Sequence, residues 1–211
     1  MVATRLIEQW AQNKNLPLVV IGTGPQFPAI GVDYVQLPSR NQQVPIESLS
    51  EWEYARFCGE FALTSTNHLR MQIRSGAITP KETIVIVNDI SESPDISALN
   101  QMGFTIVSLW HVDVVDFFNR MYLRQCVCAH TLVRLFNNIE KSPLGRFIPK
   151  LLRLIFQKQR IAVESSHLLV VPSRAMGQTI RRCFPRLAPA SEANLLVLPW
   201  GVSPEVNSRE E

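Results

Sequence analysis

Short apolar runs recur along the chain, at Leu18 to Ile21, Thr83 to Val87, Phe104 to Leu109 and Leu168 to Val171. Each is closed by small, polar or aromatic residues: Gly22-Thr23-Gly24-Pro25, Asn88-Asp89, Trp110-His111 and Pro172-Ser173. Runs of this length, rich in Val and Ile, fit strands buried on both faces. Val32 to Leu37 alternates and stops at Pro38, and a last apolar run ends at Pro199-Trp200-Gly201-Val202. Helical spacing fills the intervals at Thr4 to Gln12, Ser50 to Ile73, Pro94 to Met102, Val114 to Asn137 and Ile148 to Glu164, with a basic helix after Ser173. Ser50 with Glu53 three residues on is a capping-box pattern, and Gly103 marks a helix stop. Strands alternating with helices predict an α/β fold: a Rossmann-like parallel sheet with helices on both faces.

A chain of 211 residues with 46% hydrophobic and 18% charged residues fits one packed domain. No run of about 18 apolar residues predicts a membrane span. The start, MVATRLIEQWAQNK, lacks the apolar core and cleavage site of a signal peptide, so a cytoplasmic protein is expected. Cys58, Cys126, Cys128 and Cys183 read as buried free thiols. Cys126 and Cys128 are spaced C-x-C rather than C-x-x-C, and no metal site or cofactor is expected.

The net charge of +3 is unevenly spread. Between Arg120 and Arg160 stand Arg120, Arg124, Arg134, Lys141, Arg146, Lys150, Arg153, Lys158 and Arg160, with Glu140 the one acid. Such a field attracts phosphates or anionic lipid. Ile148, Leu151, Leu152 and Ile155 share one helical face, and Lys150, Arg153, Gln157 and Arg160 fall on the other. Lys150, Arg153, Lys158 and Arg160 are therefore candidates for contact with an anionic membrane on its inner face. The commoner role of such a helix is to pack on a sheet with its basic side solvated. No aromatic interleaving accompanies the charge, so nucleic acid is not the expected partner.

Ligands of parallel α/β sheets bind outside the carboxyl ends of the strands. Gly22, Gly24, Asn88, Asp89, Trp110, His111 and Ser173 occupy such positions. His111 is the sharpest candidate: an imidazole there can hydrogen-bond a sugar hydroxyl or stabilise charge near a phosphate. A turn or helix-cap role is the more frequent one for that position. Asp113 fits an N-cap better than a catalytic acid, and Asn88-Asp89 fit an Asx turn. Gly22 to Phe27 lacks the third glycine of a dinucleotide fingerprint, and Pro25 and Pro28 oppose a helix there, which excludes NAD.

Several segments together resemble glycosyltransferase family 4, a GT-B fold family. EWEYARFCGEFALTSTNHL is similar to a long helix of bacterial members. TIVIVNDISESPDISALNQMGFTIVSLWHVD is similar to their paired strands, the second ending in a histidine. Glu164 to Ser173 and Pro199-Trp200-Gly201-Val202 resemble the end of the acceptor-side domain. The resemblance implies that residues 1–203 form a single half of a GT-B fold, followed by a polar tail over 204–211. It implies a cleft histidine at His111 and the acceptor-binding half of a retaining sugar transferase. The acceptor would be lipid-linked or a polysaccharide.

Set against the family pattern, the first strand and the donor domain with its E-x7-E motif are missing. The first lies at the sheet centre in the family, so its loss would leave a gap between neighbouring strands. Transfer would then need a donor half, supplied by a donor-domain partner chain or by a longer reading frame. The alternatives are a non-catalytic binding or regulatory subunit and a gene remnant without activity.

Overall fold

The computed structural model describes residues 2–13, 16–24, 32–39, 45–124, 126–185 and 194–199. Among these, seven α-helices and six strands alternate. The helices are α1 Val2–Ala11, α2 Glu51–Arg74, α3 Ile96–Gln101, α4 Val114–Leu123, α5 Ala129–Glu140, α6 Lys150–Ser165 and α7 Arg174–Cys183. The strands are β1 Val19–Gly22, β2 Asp33–Gln36, β3 Ile84–Val87, β4 Thr105–Leu109, β5 Leu168–Val171 and β6 Leu195–Val197. The architecture is α/β with parallel strands flanked by helices, as the hydrophobic pattern predicts.

The strands form two sheets rather than one. β1 pairs with β2, and β3, β4, β5 and β6 pair in that order, all parallel. Ile84 and Ile86 of the edge strand β3 are exposed, as is Val19 of β1. Ile21 of β1 nevertheless packs against the main core, so the small sheet shares that core without extending the large one. A residue in a parallel strand points to the same side as its register partner. Register therefore sets Val85 beside Ile106, and Val87 beside Ser108 and Leu169. Leu69, Ile96, Leu99, Ala162, Val163 and Ile180 from four helices bury this face. Leu99, Phe104 and Ile106 are fully buried. Each contributes on the order of 1.5–3 kcal/mol of transfer free energy.

Local signals hold the elements in place. Ser50 Oγ accepts the Glu53 amide while Glu53 accepts the Ser50 amide at 2.9 Å, completing the capping box. Gly103 follows α3 at φ +91°, where a Cβ would be strained. Asp113, Asp95 and Ser173 cap α4, α3 and α7.

One expected element is different. Val114 to Asn137 is not a single helix: α4 stops at Leu123, and Arg124 takes φ +48° in the left-handed region. The break has a tertiary cause. Asn119 donates from Nδ2 to the Val127 carbonyl at 2.6 Å, which folds the connection back on α4 and lets α5 pack against α7. No Gly or Pro marks the place, so nothing in the local pattern forecasts it.

The helices α4, α5 and α6 form a second core around Val115, Val133, Phe136 and Phe156. Phe136 and Phe156 stack with centroids 4.4 Å apart. Gln159, fully buried on α6, ties that helix to the start of α4. Its Oε1 accepts the Val115 amide and its Nε2 donates to Asp113 Oδ1, each at 3.1 Å. Replacing Gln159 by Met keeps the volume and removes both bonds, leaving buried groups short of partners. Urea denaturation should show a loss of about 1–3 kcal/mol. An unchanged midpoint would mean that the bridge contributes nothing.

Candidate functional site

The carboxyl ends of β3 and β4 bring Asn88 and His111 together. Nε2 of His111 lies 3.0 Å from Oδ1 of Asn88. The pairing follows from register. Val87 sits beside Ser108, so the loops after β3 and β4 leave the sheet at neighbouring positions. An amide oxygen can only accept, so this contact is a hydrogen bond in the tautomer with the proton on His111 Nε2. Asp89 turns the loop after β3 by accepting the Ser91 amide at 2.7 Å. That is the expected Asx turn.

Beside this loop lies a cavity of about 260 Å³, lined by Tyr54, Ser91, Phe117, Phe118, Leu154 and Lys158 among others. Its walls are largely apolar, with a phenol and an amine among them. Tyr54 Oη donates to Glu92 Oε1 at 3.3 Å, and burial raises its pKa. Lys158 Nζ donates to the Ser93 carbonyl at 3.0 Å and to Ser93 Oγ at 3.1 Å. Burial lowers the Lys158 pKa against the opposing pull of nearby Cys58, Asp95 and Asp89. The loop from Asn88 to Ser93 is thus shared by the His111 pair and the cavity.

Other expected site residues fall elsewhere. Trp110 is 1% exposed and belongs to the main core, with its amide donating to Val170 O at 2.9 Å. It cannot present its ring to a ligand. Ser173 Oγ accepts the Met176 amide at 3.2 Å, so its side chain serves α7 as a cap. Gly22 ends β1, and Gly24 lies in the bend that follows it. Tyr34 Oη donates to Gly24 O at 2.6 Å, and a Cβ on Gly22 would meet that hydroxyl at 3.0 Å. Gly22 makes room for Tyr34, and Gly24 supplies its acceptor. Pro25 to Pro28, Trp200 to Val202 and the tail over 204–211 lie outside the described residues.

The basic helix also differs from a solvated face. Besides the inward Lys158, Arg153 donates to Gly145 O at 2.6 Å, and Arg160 pairs with Glu140 at 2.7 Å. Burial alone would raise the Glu140 pKa, but hydrogen bonds from Arg160 and Gln157 outweigh it and hold the carboxyl below its usual range. Lys150 remains exposed, with its ammonium 4.5 Å from the Trp52 ring centroid. Three of the four charges are spent on acceptors of the protein itself: Gly145 in the turn before α6, Ser93 in the loop after β3 and Glu140 at the end of α5. Tyr54 and Ser91 were missed by sequence reasoning: one is a helix residue and the other a loop serine, and neither type is distinctive without the cavity.

Among the described residues, no group of three or more His, Cys, Asp or Glu side chains could hold a metal. No helix among them is long and apolar enough to cross a membrane. The four thiols split: Cys58 and Cys183 are buried, whereas Cys126 and Cys128 are exposed on the connection between α4 and α5. The expectation that all four are buried fails because that connection is not helical. Burial pushes Cys58 up to about 11 and Cys183 up to about 12. A thiol with a raised pKa stays protonated, and so unreactive, until the pH approaches that value. At pH 8, a disulfide reagent should therefore titrate two thiols rapidly in the native protein and four in denaturant. Four fast thiols in native buffer would contradict this burial.

No family model matches the chain, and no curated protein or solved structure matches it either.

Proposed function

We propose that this chain is the acceptor-binding half of a sugar transferase, with His111 and Asn88 recognising the acceptor. The observation that carries the reading is their 3.0 Å pairing at the carboxyl ends of adjacent parallel strands. An imidazole and an amide there offer both a donor and acceptors to a sugar hydroxyl. The apolar cavity on the same loop supports a lipid-linked acceptor over a polysaccharide, since its walls suit a hydrocarbon segment. His111 is assigned binding rather than proton transfer. Sugar transfer would also require a donor-binding half.

Isothermal titration with a short-chain polyprenyl-phosphate sugar tests this. Saturable binding is expected, weakened about tenfold by His111→Ala and by Asn88→Ala, as for loss of one or two ligand hydrogen bonds. Absence of saturable binding, or indifference to both substitutions, would sink the reading.

A peripheral contact with an anionic membrane is supported by a different observation. The turn Pro143–Phe147 exposes Leu144 at 61% and Phe147 at 69%, with Arg146 4.8 Å from the Phe147 ring centroid and Lys150 close by in sequence. Apolar side chains flanked by cations fit the boundary between headgroups and acyl chains. The contact is thereby moved from the α6 charges to the turn before them. Co-sedimentation with phosphatidylglycerol vesicles should drop roughly tenfold in Phe147→Ser, given about 1.5–3 kcal/mol for burying that side chain. Equal sedimentation of both proteins would remove the turn from the contact.

A further inference from the structure

β3 pairs with β4 on one side and with no described strand on the other. The direction of its backbone groups follows from its neighbours. His167 donates its amide to Ile106 O at 2.8 Å, and Ile106 donates its own amide to His167 Nδ1 at 3.1 Å. Ile106 therefore turns both backbone groups toward β5. Successive strand residues turn theirs to opposite sides, so Thr105 and Val107 face β3. Val85 is in register with Ile106 and bonds to Thr105 and Val107. Ile84 and Ile86 then hold their N–H and C=O groups out from the sheet edge. Among the described residues, none of these outward groups is paired.

The side chains are open too, with Ile84 63% and Ile86 40% exposed. Sheet edges are usually guarded by a charge, a proline or a bulge. Ile84-Val85-Ile86-Val87 has none of these, and its register with β4 runs unbroken. Such an edge is a template for another strand.

A second copy of the same edge fits it in one register. Two-fold pairing of identical strands is antiparallel, and outward residues must lie opposite outward residues. The axis then passes through Ile84, Val85 or Ile86. Through Ile86, it sets Ile84 against Asn88 of the second copy. Through Ile84, it sets Ile86 against Glu82. Through Val85, it sets Ile84 against Ile86 on both sides of the axis, where the two exchange N–H···O bonds. The same register sets Lys81 against Asp89 twice, an opposite-charge pair at each end.

We infer that this edge binds a second copy of the chain, β3 against β3, antiparallel about a two-fold axis through Val85. The pairing joins the two four-stranded sheets into one continuous sheet and covers Ile84 and Ile86. It does not rest on the acceptor reading, since Asn88 and His111 lie past the last residue of β3, Val87.

Sedimentation velocity of the whole chain at rising concentration tests this. A four-residue edge makes a small interface, which belongs to weak and transient pairs. The mass is therefore expected to climb from that of one 23.9 kDa chain toward twice that value by several hundred micromolar. Ile84→Lys sets a charge against Ile86 at both positions and should raise the dissociation constant at least about tenfold. Ile84 is largely exposed, so the fold is not at stake, and circular dichroism checks that it is kept. Cross-linking reads the register. In a Cys126→Ser, Cys128→Ser background, Ile84→Cys and Ile86→Cys proteins are mixed and oxidised. Each should join the other far faster than itself, because a disulfide needs Cα atoms within about 7 Å.

A chain that stays monomeric throughout overturns the inference, whether its edge is bare or taken by another polypeptide. A dimer indifferent to Ile84→Lys, or one that cross-links like positions to each other, overturns it as well, since it pairs by another face or register. The measurement contains no sugar, so its failure leaves the acceptor reading untouched.

Discussion

Gln159 reaches from the middle of α6 to the first turn of α4 and holds both the Val115 amide and the Asp113 carboxylate. Asp113 in turn caps α4 by accepting the Asp116 amide at 3.0 Å. That small buried network determines where α4 begins, and His111 is two residues before its cap, Asp113. The position of the imidazole relative to Asn88 therefore depends on a side chain from a different helix. Burial raises the Asp113 pKa, and the hydrogen bonds from Asp116 and Gln159 work against that rise. A group whose folded pKa is raised holds its proton longer when folded. Its contribution to stability is thus largest at low pH and falls as pH rises from the ordinary carboxylate range through the raised value. The network stabilises the site's geometry at some electrostatic cost near neutrality.

The same helix explains the fate of the basic charge. α6 carries Lys150, Arg153, Lys158 and Arg160, and the turn before it, the loop after β3 and the end of α5 supply acceptors for three of them. A long cation can bury its stem and still reach an acceptor, so charge counted along a sequence overstates charge presented to solvent. Of the four, Lys150 remains outside, on the Trp52 ring; Arg146 by Phe147 is exposed too, as are Arg120, Arg124, Arg134 and Lys141. The break between α4 and α5 has a comparable effect on the thiols. It turns Cys126 and Cys128 outward and opens a second cavity between α4, α5 and α7.

Much of the secondary structure was legible in the sequence because its signals are local. Ser50 with Glu53, Asp113 before α4 and Gly103 after α3 each act within a few residues, and each performs the role that its chemistry suggests. Continuous Val and Ile runs gave β3 and β5 to within one residue. The candidate site was less legible. His111 and Asn88 stand where strand ends predict them, but Trp110 and Ser173 follow strands just as closely and are a core residue and a cap. Position after a strand says that a residue is near the sheet's edge; it does not say which way the side chain turns.

The sequence by itself determined the alternation of strands and helices, their caps, and the parallel class of the sheet, since periodicity and capping are properties of a few neighbouring residues. Only the tertiary structure decided that the strands divide into sheets of two and four. It also decided that Asn119 ends α4 by folding the chain back, and that Lys158 turns inward to Ser93. These outcomes depend on partners dozens of residues away or on competition between a helix and a side-chain hydrogen bond. Such competition is settled by packing, which no local pattern encodes.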